Sequence, residues 1–360
     1  MPPTSANPQP FVARPTVQID GQEVERVTRL LVGMTMHEQV GGLSSLELRF
    51  TNVASLTDGG AEVAFDAGGD LRLGAAVTVG GGDATSPAEI FRGTITGLEA
   101  IHHRGKPPEL ALLAEDALQK ARLKRRSRVF EDQSLADIVR QIAGEHGLTP
   151  QVSDLDQNFG PQVQMNETDL GFLRRLLARV DADLQVVGTE LQVSARSGVQ
   201  RGQLDLDAGR DFHFARALAD FAHQVSGTTV KGWDVRNGQA ISVNGQDNAA
   251  GPGEGDRGGG LLEQALGART EHTGRLAVFN DAEAQALADA TRNGRARQFL
   301  TLHAVAGGNP SLRVGTHVRV TGLGRWFANT YYVTETRHLF DLESGYRTEF
   351  RAECAFLGTA

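Results

Sequence analysis

"LRLGAAVTV", residues 71–79, decides how this chain is built, because "LRVGTHVRV", residues 312–320, repeats it. Leu71, Arg72, Gly74, Val77 and Val79 stand against Leu312, Arg313, Gly315, Val318 and Val320, with Leu73 against Val314. Downstream, "FRGTITGLEAIH" (91–102) aligns with "FANTYYVTETRH" (327–338), setting Phe91 on Phe327, and "AEDAL" (114–118) aligns with "AECAF" (352–356). Three blocks in one order point to a duplicated β unit. A duplicated unit lets n chains present 2n similar surfaces about an axis, so three such chains mimic a six-membered ring.

The first copy is strand-rich on its own pattern. Asp20-Gly21 reads as a hairpin turn, and "SSLELRFTN" alternates Leu46, Leu48 and Phe50 with Ser45, Glu47 and Arg49, as a strand with one buried face does. From about residue 130 the period becomes helical. Leu135, Ile138, Val139 and Ile142 recur at helical spacing after the candidate caps Asp132 and Ser134, and Gly147 ends the segment. A second helix carries Leu170, Leu173, Leu176, Leu177 and Val180, and "DADLQVV…ELQVSA" then returns to strand alternation.

The chain is therefore expected to be α+β, with two related tube-like antiparallel β-barrel domains flanking a small α/β unit. The boundaries are an N-terminal arm (1–14), a first barrel (15–128), the small unit (129–200) and a second barrel (201–360). "NGQDNAAGPGEGDRGGG" (244–260) reads as a flexible Gly-rich loop interrupting the second barrel, and Asn280 with Glu283 has the spacing of a capping box.

Bulk properties exclude several functions. The 360 residues carry a formal net charge of −8, against general nucleic-acid binding, and no apolar run approaches the ~18 residues that span a bilayer. The single cysteine, Cys354, cannot close an intrachain disulfide and sits in an alternating strand rather than at an activating turn. Neighbouring His102 and His103 alternate faces on a strand, His213 and His223 are isolated, and no zinc, phosphate-loop or GxSxG motif occurs. No metal or cofactor is implied.

Two charged stretches remain. In "QMNETDLGFLRRL" (164–176), Glu167 and Asp169 are two residues apart, so on a helix they point to different sides, whereas a glycosidase pair faces across ~5–10 Å. Asn166 or Thr168 reads as the N-cap, with Asp169 in the first turn favoured by the helix dipole. "KARLKRRSR" (120–128) has six cations in nine residues but no interleaved aromatics, which favours a solvated or interface face over nucleic-acid binding.

The middle of the chain resembles the late control protein D and VgrG family, the baseplate hub proteins of contractile phage tails, type VI secretion and related contractile injection systems. The family's motif falls on Gln164, Glu167, Thr168, Asp169, Phe172, Arg175 and Leu176. "GGNPSLRVGTHVRVTGLGRWFANTYYVTETRHLF" (307–340) is similar to the family's closing pattern, and "FRGTITGLE" to its first barrel. The resemblance implies a non-enzymatic homotrimer with pseudo-sixfold symmetry, adapting a hexameric inner tube to a trimeric spike and contacting baseplate wedge or adaptor proteins. It implies assembly in the bacterial cytoplasm into a virion tail or injection particle.

The chain stops at Ala360 without an OB domain or β-helical needle, so the spike is expected to be a separate polypeptide. The rival readings are a tail-associated peptidoglycan hydrolase using Glu167 and a second acid, and a cargo-loading scaffold using the 244–260 loop.

Overall fold

The computed structural model describes residues 14–55, 61–65, 69, 71–83, 86–234, 237–247, 250–273, 278 and 280–359. The expected arm lies almost wholly outside the described residues. Strand β1 (Thr16–Ile19) turns at Asp20-Gly21 into β2 (Gln22–Glu23), and helix α1 (Glu25–Leu30) follows. The hairpin β3 (Leu31–Gln39) and β4 (Ser45–Thr51) precedes a small pair, β5 (Val53–Ser55) and β6 (Ala61–Val63). A meander of β7 (Ala76–Gly81), β8 (Ala88–Ile101) and β9 (Glu109–Glu115) completes the first part.

The small unit contains α2 (Gln119–Arg122), β10 (Arg125–Phe130), α3 (Leu135–Glu145) and β11 (Thr149–Ser153). It continues through β12 (Gln162–Thr168), α4 (Asp169–Ala178), β13 (Ala182–Val187) and β14 (Glu190–Ala195). The last part opens with β15 (Gly202–Asp207), α5 (Ala208–Asp211) and β16 (Phe212–Ala219). Then come β17 (Gly227–Asp234), β18 (Gln239–Asn244), β19 (Asp256–Arg257), α6 (Gly258–Leu266), β20 (Thr270–Thr273) and α7 (Asp281–Arg297). It closes with β21 (Leu300–Gly307), β22 (Thr316–Thr321), β23 (Asn329–Asp341), β24 (Gly345–Cys354) and β25 (Phe356–Leu357).

Thirteen strands share one sheet, and its order contains the repeat. The run β3-β4-β9-β8-β7-β1 is matched by β16-β21-β24-β23-β22-β15, and β23 pairs antiparallel with β3 to join the two half-sheets. Their irregularities coincide. Thr96 is skipped between Ile95↔Ala114 and Gly97↔Leu113, as Thr334 is between Val333↔Ala352 and Glu335↔Arg351. Both bulge hydroxyls donate across the strand pair, Thr96 to the Leu113 carbonyl (3.4 Å) and Thr334 to that of Arg351 (3.2 Å). The β3–β4 skip at Val32 recurs at His213 between β16 and β21. A bulge re-aims a strand, so matching bulges bend the half-sheets at matching points.

Gly74 and Gly315 are also equivalent. Each has positive φ (83° and 86°), and their N–H groups donate to Ile95 (2.9 Å) and Val333 (3.0 Å). Leu71, Val77, Leu312 and Val318 are buried beside them. The Phe91–Phe327 equivalence is corrected. Val79 faces Phe91 whereas Val320 faces Asn329, so Phe327 lies two residues before β23 and the true offset differs by two from the sequence alignment. The outer strands differ too: β1 is antiparallel to β7, but β15 is parallel to β22.

Neither half-sheet closes into a barrel within the chain among the described residues; the sheet is open, with β16 at one end. Separate apolar clusters underlie its halves, one built around Met36, Leu48 and Leu112 and the other around Leu302, Tyr331 and Phe350. A third, from Leu118 to Val193, fills the small unit, where α3 and α4 pack with the β11-β14-β13 sheet. A fourth belongs to β17, β18 and α7, which lie between β16 and β21, where the first half has only the tight β3–β4 turn.

Of the expected flexible loop, residues 248–249 lie outside the described residues and the stretch from 250 onward packs on the C-terminal strands. β19 pairs with β25, and Cβ atoms at Gly253 and Gly255 would stand 2.6 Å from Cys354 Sγ and 2.0 Å from the Leu357 carbonyl oxygen. Their φ values, 110° and 125°, also require glycine. These glycines let the chain lie against the C-terminal strands.

Candidate functional site

The motif of the small unit forms a polar knot. Thr168 is the N-cap of α4, its hydroxyl accepting from Gly171 N (3.1 Å), whereas Asn166 adopts φ 49° just before it. Asp169, 1% exposed, accepts from Gln164 Nε2, Arg128 Nη2 and His146 Nε2, each at 2.9 Å. Burial pushes the Asp169 carboxyl up, but hydrogen bonds from Gln164 and His146 and the charges of Arg128 and Arg126 outweigh it and hold it below the usual carboxylate range. Glu167 is tied instead to Arg175, at 3.0 Å. Arg175 also lies over Phe172, which stacks on Phe130, while Leu176 seats the helix in the core. The two acids are thus held by different partners and share no cleft.

Two of the six cations of the basic run turn inward, whereas Lys120, Arg122, Lys124 and Arg125 are exposed. Arg126 and Arg128 both pair with Glu145, and Arg128 bridges Glu145 and Asp169, so β10 is fastened to α3 and α4 by its inward charges. Ser134 caps α3 in a reciprocal box with Asp137, leaving Asp132 outside it. Asn280 caps α7 by accepting from Glu283 N (2.8 Å), and the Glu283 carboxylate pairs with Arg179 of the small unit.

A second polar centre, absent from the sequence reading, lies where the half-sheets join. Glu38 is 1% exposed and accepts from Arg313 Nε (2.9 Å) and Nη2 (2.6 Å), Val314 N (2.7 Å) and Thr336 Oγ1 (3.1 Å). Burial raises its pKa, but Arg313 and the Val314 amide outweigh that and leave it lowered. His338 nearby is pushed down to about 3 by burial and by the Arg313 charge, and Tyr346 Oη lies 2.7 Å from its Nδ1. The signal was present in β3: Met34, Met36 and Glu38 occupy one alternating face, so a charge stands at a core position.

The outer face of the large sheet carries cross-strand ion pairs, including His37–Glu335 (3.0 Å), Arg49–Glu109 and Arg347–Asp341 (2.8 Å). His102 and His103 are exposed beyond β8, and His213 and His223 are exposed as well. Buried Cys354 is pushed up to about 12. Among the described residues no group of three His, Cys, Asp or Glu side chains could hold a metal ion, and no helix is long and apolar enough to cross a membrane.

Among solved structures, the fold is similar to the 43 kDa tail protein of prophage MuSo2 from Shewanella oneidensis, at 13% identity and TM-score 0.68, covering 94% of this chain and 97% of that one. It is similar to a tail protein from Neisseria meningitidis MC58, at 14% identity and TM-score 0.66, with 94% and 96% covered. The E. coli c3393 protein, a component of the type VI secretion system, matches at 12% identity and TM-score 0.59, with 96% and 79% covered. These likenesses establish a shared tail-protein fold. No curated protein matches the sequence. Residues 11–341 match the family described as the Alg8 N-terminal domain, and the chain belongs to that family.

Proposed function

We propose that this chain is a structural, non-enzymatic baseplate hub of a contractile tail or injection machine, a homotrimer adapting a hexameric inner tube to a trimeric spike. The observation that carries the reading is a pair of matching free edges. Within the chain, the far end of β23 pairs with β3. Among the described residues, the corresponding end of β8 in the first half pairs only with β9, and β16, the counterpart of β3, pairs only with β21.

Applying the internal junction between chains sets β8 of one copy against β16 of the next. Thr336↔Glu38 becomes Leu98↔Ala219, and His338↔Met36 becomes Ala100↔Ala217. Leu98, Phe214 and Leu218 are exposed large apolar residues along these edges. Three chains joined in this way form a ring of six half-sheets, closing as two tube-like barrel domains per chain what one chain leaves open. The ion-paired outer face then lines a polar channel, while inner tube, spike and wedge proteins meet the ring's ends and rim. In this reading each chain brings a first half-sheet, a small unit that starts at α2 and a second half-sheet, with the β17–α7 insertion occurring three times per ring. The fold shared with phage tail and type VI secretion proteins supports such a place in a tail particle.

An Ala100→Cys/Ala217→Cys chain tests this, because directly opposed antiparallel residues lie within disulfide reach. Oxidation is expected to yield a closed species of three times the 38.5 kDa chain. Monomer alone, or an open-ended ladder, refutes the ring. A hydrolase reading is disfavoured because Glu167 and Asp169 are committed to separate partners.

A further inference from the structure

The two faces of the β10–β12 ribbon do different work. Its inward residues, Arg126, Arg128, Gln164 and Phe130, hold α3 and α4. Its outward side chains lie outside the apolar cluster that α3 and α4 share. Val129 and Val163 are directly paired, Met165 lies two residues along, and Leu123 precedes β10; they are 53%, 43%, 70% and 67% exposed. Polar residues would serve a solvated strand face at these positions without cost to the fold. Exposed apolar clusters of this kind mark contact surfaces, where methionine and arginine are enriched.

Lys120, Lys124 and Arg125 are exposed beside Leu123, and none has an ion-pair partner among the described residues; Arg125 Nη1 donates only to the Asn166 carbonyl (2.9 Å). Glu131 and exposed Asp132 follow at the opposite end, which gives the surface a direction. The pairing that the ring would use lies elsewhere, on β8 and β16. Charge complementarity and the apolar centre together specify the occupant.

We infer that the outward face of the β10–β12 ribbon docks an acidic, apolar segment of another polypeptide, its carboxylates over the Lys120–Arg125 end and its apolar residues on Val129, Val163 and Met165. The probe is a fluorescein-labelled helical peptide with a leucine stripe and glutamates elsewhere, titrated into the full chain by anisotropy at low and high salt. Binding is expected, and Val129→Asp/Met165→Asp should weaken it by at least about tenfold. Lys124→Glu should weaken it less and flatten its salt dependence. The positions are exposed, so unchanged thermal unfolding serves as the folding control.

No binding of the peptide, equal binding of a lysine-for-glutamate version, or binding indifferent to both variants overturns the inference. Sedimentation velocity separates the other occupant: if Val129→Asp/Met165→Asp abolishes self-association of the wild-type chain, the face receives a second copy and the inference is wrong.

Discussion

Glu38→Ala removes the acceptor on which the two half-sheets converge. Arg313 donates two hydrogen bonds to this carboxylate, and Val314 N and Thr336 Oγ1 add one each, all at a residue 1% exposed. Truncation strands the partly exposed Arg313 guanidinium and the buried Val314 N–H without their acceptor, and removing one partner of a buried pair costs about 3–5 kcal/mol, here toward the lower end. Because several cores are present, a single global midpoint is a poor readout. Hydrogen exchange at Leu31–Gln39 and Glu335–Asp341 reports the junction itself, and a loss of ~3 kcal/mol there would speed exchange by roughly two orders of magnitude. Glu38→Met/Arg313→Met, beside Met34 and Met36, replaces the pair with apolar volume and should recover most of that loss. Protection within about threefold of wild type in Glu38→Ala, or a double variant worse than the single, refutes the junction's dependence on this pair.

Asp169→Asn should destabilise the small unit by about 2–4 kcal/mol, read as faster hydrogen exchange within Leu135–Glu145 and Asp169–Ala178, because Arg128 loses its buried counter-charge; unchanged protection there would leave the knot without energetic weight. Gly255→Ala should loosen the β19–β25 pairing, seen as faster proteolysis of the C-terminal residues, since its Cβ would meet the Leu357 carbonyl at 2.0 Å and its φ of 125° is strained for alanine. Asp116, pushed up to about 6 by burial, binds its proton more readily folded than unfolded. Its contribution is therefore full below pH ~4, declines as pH rises toward 6 and stays lost above that, worth about 3 kcal/mol in all. Asp116→Asn should remove this decline from the pH–stability profile.

What was legible in the sequence was local. The Leu46-Leu48-Phe50 face is buried as its alternation implies, and Thr168 caps the helix whose leucines face the core. What was not legible depended on distant partners. A two-residue shift keeps every side chain on its face, so the sequence pattern could not distinguish Phe327 from Asn329 as the counterpart of Phe91. The β17–α7 insertion read as more of the second β unit because nothing near Ala219 announces that its ladder partner is Leu300. Arg126 and Arg128 looked like a free basic run because Glu145 and Asp169 reach them only through the fold. The glycines near 255 carried a compositional signal of looseness, whereas positive φ and close backbone approach are what they supply.

Under the proposed ring, the six junctions alternate in chemistry although they share a register. The internal one buries Glu38 against Thr336 and Arg313, whereas its counterpart between chains sets Ala219 against Leu98, with Arg72 in the place of Arg313 and held by Asp20 (2.5 Å). An unpaired Glu38 would be costly against the Leu98 edge of a neighbour, so the half-sheet carrying β3 is bound to its own β23 before assembly. The edges left for the neighbour are rich in alanine and leucine and need no buried charge to be matched. Folding and assembly are thereby separated in sequence: the polar junction selects the intrachain partner, and apolar burial then drives the ring. Introducing Ala219→Glu with Thr at Leu98 would make the junctions alike, and the expected outcome is mispaired oligomers of mixed size by native mass spectrometry; a clean trimer from that variant would mean that the alternation has no role in partner choice.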